Sequence, residues 1–277
     1  MISVVIPCRN GAPALGAQLD ALMAQQTSSP FEIVVADNRS TDGTVALVGA
    51  YSARDHRVRL VDASQVAGIN HGRNTGVRAS RGDIVLLCDA DDVVQPGWID
   101  AHARAFAAGA VCVGGGVDRV LADGTVLERQ RRLSTVHWDV PSPVGANCGF
   151  LRDVFDHIGG FDETFRGGGD ETDFFWRAAS AGFPTVAVPD AVVAYALRED
   201  LRGVARQFYA YGTGTVRLFR AHAAHGMPRS PWWTAPFVIL VGALQLTVRG
   251  HRRQGVERLS SRAGRLVESV RSRTFYL

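Results

Sequence analysis

The chain has no lysine. All 30 of its fixed side-chain cations are arginine. Genome base composition explains the bias in bulk, and at individual positions only Arg forks are on offer for phosphate contacts. Cysteine is also scarce: Cys8, Cys88, Cys112 and Cys148 stand far apart with no CxxC pair, which excludes a zinc knuckle and a disulfide framework. A surplus of one charge is missing too. The net charge of +3 is too small to argue for a nucleic-acid partner. No basic segment and apolar core precede the strand-like ISVVIP, so no signal peptide is read, and a reduced, cytoplasmic setting is expected. Internal repeats and low-complexity linkers are absent, and no apolar run reaches the ~20 residues of a spanning helix. The nearest candidate, WWTAPFVILVGALQLTV (232–248), contains Pro236, Gln245 and two threonines.

The 277 residues, 46% of them hydrophobic and 21% charged, have the composition of a globular domain with appendages. Continuous apolar runs, SVVI (3–6), EIVVA (32–36) and DIVLLC (83–88), read as buried strands. Between the first two, Leu15, Leu19, Leu22 and Met23 share one helical face. Further helices are expected over 45–51 and 72–79, and a strand over 57–61. Strands alternating with amphipathic helices give an open, doubly wound, mainly parallel α/β sheet. Such a sheet collects its ligands at the carboxyl ends of the strands. That brings together three polar loops, 7–11, 37–43 and 89–92. Beyond them, strands are read at 111–120, 125–132 and 185–188, helices at 152–158 and 171–181, and mainly helix after 201.

The stretch LLCDADDVV (86–94) places three carboxylates within four positions at a strand end. Alternation along an extended strand sends Asp89 and Asp91 to one side and Ala90 to the other. Converging carboxylates repel unless a cation lies between them, and a hard divalent ion, Mg²⁺ or Mn²⁺, suits oxygen ligands completed by phosphates. An EF-hand is excluded, because Val93 and Val94 occupy its fifth and sixth positions. A solvated turn is the competing reading. In DNRSTDGT (37–44), Asp37 is read as a ligand group, and Ser40 or Asp42 as the helix cap, Asp42 mainly so.

Taken in order, VVIPCRN, VVADNRSTDGT, GRNTGVRASRGDIVLLCDADD, GANCGFLRDVF, GGFDETF and GGGDETDFFWR resemble the family-2 glycosyltransferases, inverting enzymes of the GT-A fold that use nucleoside-diphosphate sugars. The resemblance covers residues 1–220. It implies a nucleotide-binding half (1–110), an acceptor and catalytic half (111–220), and a helical extension (221–277). By the same resemblance, Pro7, Cys8, Arg9 and Asn10 line the ribose and uracil of a UDP-sugar, Asp37 accepts from the base, and Arg73 reaches the base or diphosphate. Asp89 falls near the ribose and, with Asp91, on the Mn²⁺ or Mg²⁺, with Asp92 as the extra acid that often follows. Asn147 is expected to touch the donor sugar.

Where the family has an E-D pair as catalytic base, this chain reads Asp170-Glu171. The order is swapped, so Glu171 is the first candidate and Asp170 the second, with Asp170 as a plain helix cap the bland alternative. Tyr195 stands where many relatives carry a metal-binding His. The acceptor is a hydroxyl on a saccharide, a lipid-linked saccharide or a small metabolite. The rival readings are a non-catalytic sugar-nucleotide-binding scaffold and a nucleotidyltransferase, although the latter would want a more basic first loop than PCRNGAP. Residues 232–248 leave two options open: peripheral contact with the inner face of a membrane, or packing on the catalytic domain or on a second subunit of a homodimer.

Overall fold

The computed structural model describes residues 1–165 and 167–277. The described residues divide into two compact units. The first comprises Met1–Thr135, Val140–Glu163 and Phe174–Leu197, and the second Val136–Asp139, Thr164–Asp173 and Arg198–Leu277.

The first unit opens with three βα steps. These are β1 (Ile2–Cys8), α1 (Ala12–Met23), β2 (Phe31–Asp37), α2 (Thr44–Arg54), β3 (Val58–Asp62) and α3 (Ile69–Ala79), after which β4 (Ile84–Leu87) follows. Every residue of β1 and β2 is buried, the signature of parallel strands covered on both faces. β1 pairs in parallel with both β2 and β4. Gly76 is needed where α3 crosses the sheet, since a Cβ there would lie 2.5 Å from a Val5 methyl.

The second half of the sheet is mixed. It contains β5 (Val93–Val94), α4 (Trp98–Ala107), β6 (Cys112–Val120), β7 (Val126–Gln130), β8 (Cys148–Leu151), α5 (Arg152–Ile158), α6 (Asp170–Ser180) and β9 (Thr185–Ala196). The strand order is β3-β2-β1-β4-β8-β6-β9-β5, with β7 on β6. Helix α4 and strands β5 and β8 were not anticipated from sequence. β5 is only two residues long, and the four of β8 run antiparallel between β4 and β6, a placement with no local signature. β9 runs well beyond the expected 185–188, because a register shift at Gly115/Gly116 lets it follow β6 past Pro189. A ring cluster centred on Phe174 fills the core beneath, with Phe161 at 4.2 Å and Phe150 at 4.7 Å between centroids.

In the second unit, α9 (Arg252–Arg271) packs against both α7 (Leu201–His222) and α8 (Ala235–Thr247). Their close crossing follows from glycines within the helices. A Cβ on Gly212 would fall 2.1 Å from the Ser261 carbonyl oxygen of α9, and one on Gly264 would fall 2.2 Å from that of Tyr209 in α7. Arg217 reaches from α7 to Glu268 of α9 at 3.1 Å. Thus α7, expected with the catalytic half, is joined to the helical extension.

Candidate active site

The loops after β1 and β2 are tied to each other. Asn10, at φ 56°, donates its backbone N–H to Ser40 Oγ and accepts from the Thr41 N–H, both at 2.8 Å. Thr44 Oγ1 accepts from the Gly11 N–H at 2.9 Å. Asp42 accepts from the Thr44 and Ala12 N–H groups; the N-cap position of α2 is Gly43 rather than the Asp42 read from sequence, and Asp42 instead holds the first amide of the helix and staples the two loops. Pro7 and Cys8 are buried at the end of β1, whereas Arg9 and Asn10 are exposed. Burial, and then the neighbouring Asp37 carboxylate, pushes the Cys8 thiol up to about 11. A thiol held neutral in this way is a packing group.

Asp37 pairs with Cys8 across the sheet. One carboxylate oxygen accepts from the Ser40 N–H at 3.3 Å, while Oδ1 is buried with no hydrogen-bond partner among the described residues. An ionisable group left so at a strand end suits a ligand N–H.

The acidic stretch is built differently from the sequence expectation. β4 stops at Leu87, and Ala90 and Asp91 form a turn; extended-strand alternation therefore does not set the geometry. The turn converges all three carboxylates, with oxygens of Asp89, Asp91 and Asp92 within 4.8 Å of one another. Asp91 is exposed, Asp89 half-buried and Asp92 buried. Asp92 Oδ1 accepts from the Ala196 N–H at 2.9 Å, and its Oδ2 is buried without a partner among the described residues. Burial first, then Asp89 and Asp91, pushes the Asp92 carboxyl well above the usual carboxylate range. An all-oxygen set with an orphaned buried acceptor is what a hard divalent cation would relieve.

Gln18, which sequence reasoning passed over, holds this turn at both ends. Fully buried, it donates Nε2–H to the Asp89 carbonyl at 3.2 Å and accepts from the Val94 N–H at 2.9 Å. The available signal was a polar residue on the apolar stripe of α1, between Leu15 and Leu22. Tyr195 lies beside the pairing of Val93 with Ala194, with Arg119 over its ring at 5.9 Å.

Two expected donor contacts are turned inward. Asn147 is 0% exposed. Its amide donates to the Gly116 and Ala191 carbonyls at 2.8 and 2.7 Å, and its oxygen accepts from Trp98 Nε1 at 2.9 Å and faces His102 Nε2 at 3.1 Å. With its hydrogen-bonding capacity engaged in the interior, it braces β6 and β9 against α4 and offers a sugar nothing. Arg73 is buried on α3, donating to Asn70 Oδ1 at 3.1 Å and stacked 5.3 Å over Phe161.

In the second unit, Gly167, Gly168 and Gly169 all have positive φ, 79°, 111° and 79°, a run open only to glycine. They deliver the chain to the start of α6. Asp170 is buried and accepts from the Gly168 N–H at 3.0 Å, while Glu171 beside it is half-exposed. Asp173 faces His222 at 2.9 Å.

The chain is similar to AglE, a glycosyltransferase of Haloferax volcanii, at 27% identity over 228 residues, covering 79% of this chain and 74% of that one. It is 28% identical over 280 residues to the pre-mycofactocin glycosyltransferase of Mycobacterium tuberculosis, covering 94% of this chain and about half (54%) of the relative. Among solved structures, the mannosyltransferase PcManGT of Pyrobaculum calidifontis, in complex with GDP-Man and Mn²⁺, superposes with a TM-score of 0.66 at 18% identity, over 96% of this chain and 86% of that one. TarS 1-349 of S. aureus, in complex with UDP-GlcNAc, gives 0.57 at 15% identity, over 100% of this chain and 93% of that one. The fold is thus that of the GT-A glycosyltransferases. The family model "Glycosyl transferase family 2" matches residues 3–159, more than half of the sequence, and this chain belongs to that family.

Proposed function

We propose that the chain transfers a sugar, with inversion, from a nucleoside-diphosphate sugar to an acceptor hydroxyl, and that the donor is a UDP-sugar. The observation that carries the reading is the convergence of Asp89, Asp91 and Asp92 within 4.8 Å, with a buried Asp92 oxygen that lacks a partner among the described residues. The solved complexes of PcManGT with GDP-Man and Mn²⁺ and of TarS with UDP-GlcNAc support it by fold.

In this reading Asp91 and Asp92 hold Mn²⁺ or Mg²⁺, and Asp89 serves the ribose side. When bound, the ion neutralises charge on the diphosphate leaving group. Asp37 takes an N–H of the base on its unpartnered oxygen, and the stapled loop 7–10 backs the nucleoside. The acceptor oxygen forms a bond to the anomeric carbon as the bond from that carbon to the diphosphate oxygen breaks. The acceptor proton passes to a carboxylate. Glu171 is the base in this assignment, because Asp170 is buried and accepts from the loop backbone.

A thermal-shift screen of nucleotide sugars with and without Mn²⁺ tests the binding half, since a ligand of the folded state raises stability by mass action. A UDP-sugar that stabilises the protein only with Mn²⁺ is expected. Glu171→Gln should keep that shift and lose turnover by roughly 10²-fold or more. A protein that no nucleotide sugar stabilises under any metal condition overturns the proposal, and retained turnover in Glu171→Gln moves the base elsewhere.

A further inference from the structure

Helix α8 turns only one side inward. Ala235 and Gly242 are buried, and α9 comes so close that a Cβ on Gly255 would sit 2.7 Å from the Gly242 carbonyl oxygen. The remaining surface is apolar and open to solvent. Phe237 is 68% exposed, Leu240 57% and Leu244 58%, and Trp232 and Trp233, just ahead of the helix, are 57% and 67% exposed. A contiguous set of large apolar side chains in solvent marks a surface that meets something apolar.

The charge around it narrows the choice. Residues 201–277 carry 13 Arg and 2 acidic residues, a balance of +11, whereas residues 1–200 carry 17 Arg and 25 acidic residues, a balance of −8. From Leu201 to Val256 there is no Asp or Glu at all. Arg249 and Arg252, just past the end of α8, are exposed.

From this we infer that α8 and the Trp232–Trp233 step dock on an anionic lipid bilayer, lying in its interface. Among the described residues no helix is long and apolar enough to cross a membrane. Thirteen residues span about 20 Å, against the ~30 Å of a hydrocarbon core. Indole rings favour the headgroup level, and arginines near the surface gain from anionic lipid. A second copy of the chain fits less well, because a two-fold interface would set this acid-free, Arg-rich rim against itself. The inference concerns an attachment surface and does not depend on the proposed sugar transfer.

Co-sedimentation of the full chain with phosphatidylcholine vesicles, with and without phosphatidylglycerol, tests it, together with Trp fluorescence and light scattering. The expected result is binding at least roughly tenfold tighter to the anionic vesicles, weakened by salt, with a blue shift of the emission. Phe237→Ser/Leu240→Ser should abolish the shift and most of the binding, and Arg249→Gln/Arg252→Gln should abolish the anionic preference. All four sites are exposed, so an unchanged melting temperature is expected in both variants. The wild-type salt dependence and blue shift stand as readouts even where a variant fails to fold. Failure to sediment with anionic vesicles, equal binding to neutral ones, or a stable dimer that excludes vesicles overturns the inference.

Discussion

His222 Nε2 lies 2.9 Å from Asp173 Oδ1, with both side chains at most 4% exposed. Asp173 is on the first turn of α6 and His222 is the last residue of α7. The pair therefore lies within the second unit, where it ties the first turn of α6, which bears Asp170 and Glu171, to the end of α7. Replacing one partner leaves the other buried without it. His222→Leu is expected to destabilise by about 3 kcal/mol, read as a lower urea midpoint, and His222→Gln, which can still donate, should recover part of the loss.

Gln18→Leu should act at a distance from the carboxylates it supports. Removing the amide strands the buried Val94 N–H, at about 1–3 kcal/mol, and releases one end of the turn. A Mn²⁺-dependent thermal shift that shrinks by more than the drop in basal melting temperature is the expected signature; an unchanged shift would mean that the turn holds itself.

Asp92→Asn should raise the melting temperature of the metal-free protein and reduce the increment given by Mn²⁺. The amide replaces a carboxyl whose ionisation is opposed by burial and by Asp89 and Asp91, while its oxygen still accepts from Ala196 N–H. A variant less stable than wild type without metal would argue against the repulsion.

Gly168→Ala combines a positive φ of 111° with a Cβ 3.0 Å from the Ala210 carbonyl oxygen. A loss of about 2 kcal/mol or more is expected, with turnover falling further than stability if the start of α6 shifts. Equal turnover after correction for folded fraction would detach this loop from catalysis.

Burial in the interior lowers the His102 imidazole to about 4 from the ordinary 6.5. The unfolded state therefore binds the extra proton first. This contribution to stability is whole above about pH 6.5 and is lost as the pH falls toward 4, to the order of 3 kcal/mol. His102→Gln should flatten the pH dependence of the unfolding free energy across that window; an unaltered slope would place the acid sensitivity elsewhere.

Much of the first half of the chain was legible in the sequence because its information is local. Uninterrupted apolar runs can be satisfied only by strands covered on both faces, the stripe on α1 by a helix, and the acidic stretch only at a strand end where ligands gather. Asp42 at the entry to α2 follows from a side chain reaching its own neighbours. What needed the tertiary structure was long-range. β8 is antiparallel only because β4 and β6 flank it, and the acidic stretch is a turn because Gln18 and Ala196, 71 and 104 positions away from their partners, hold it there. Asn147, a donor ligand by motif, is a brace because four distant groups meet its amide. The amino-acid sequence by itself determined which groups carry charge and which segments must be buried; the fold alone decided which carboxylates converge, since convergence depends on contacts that no spacing along the chain encodes.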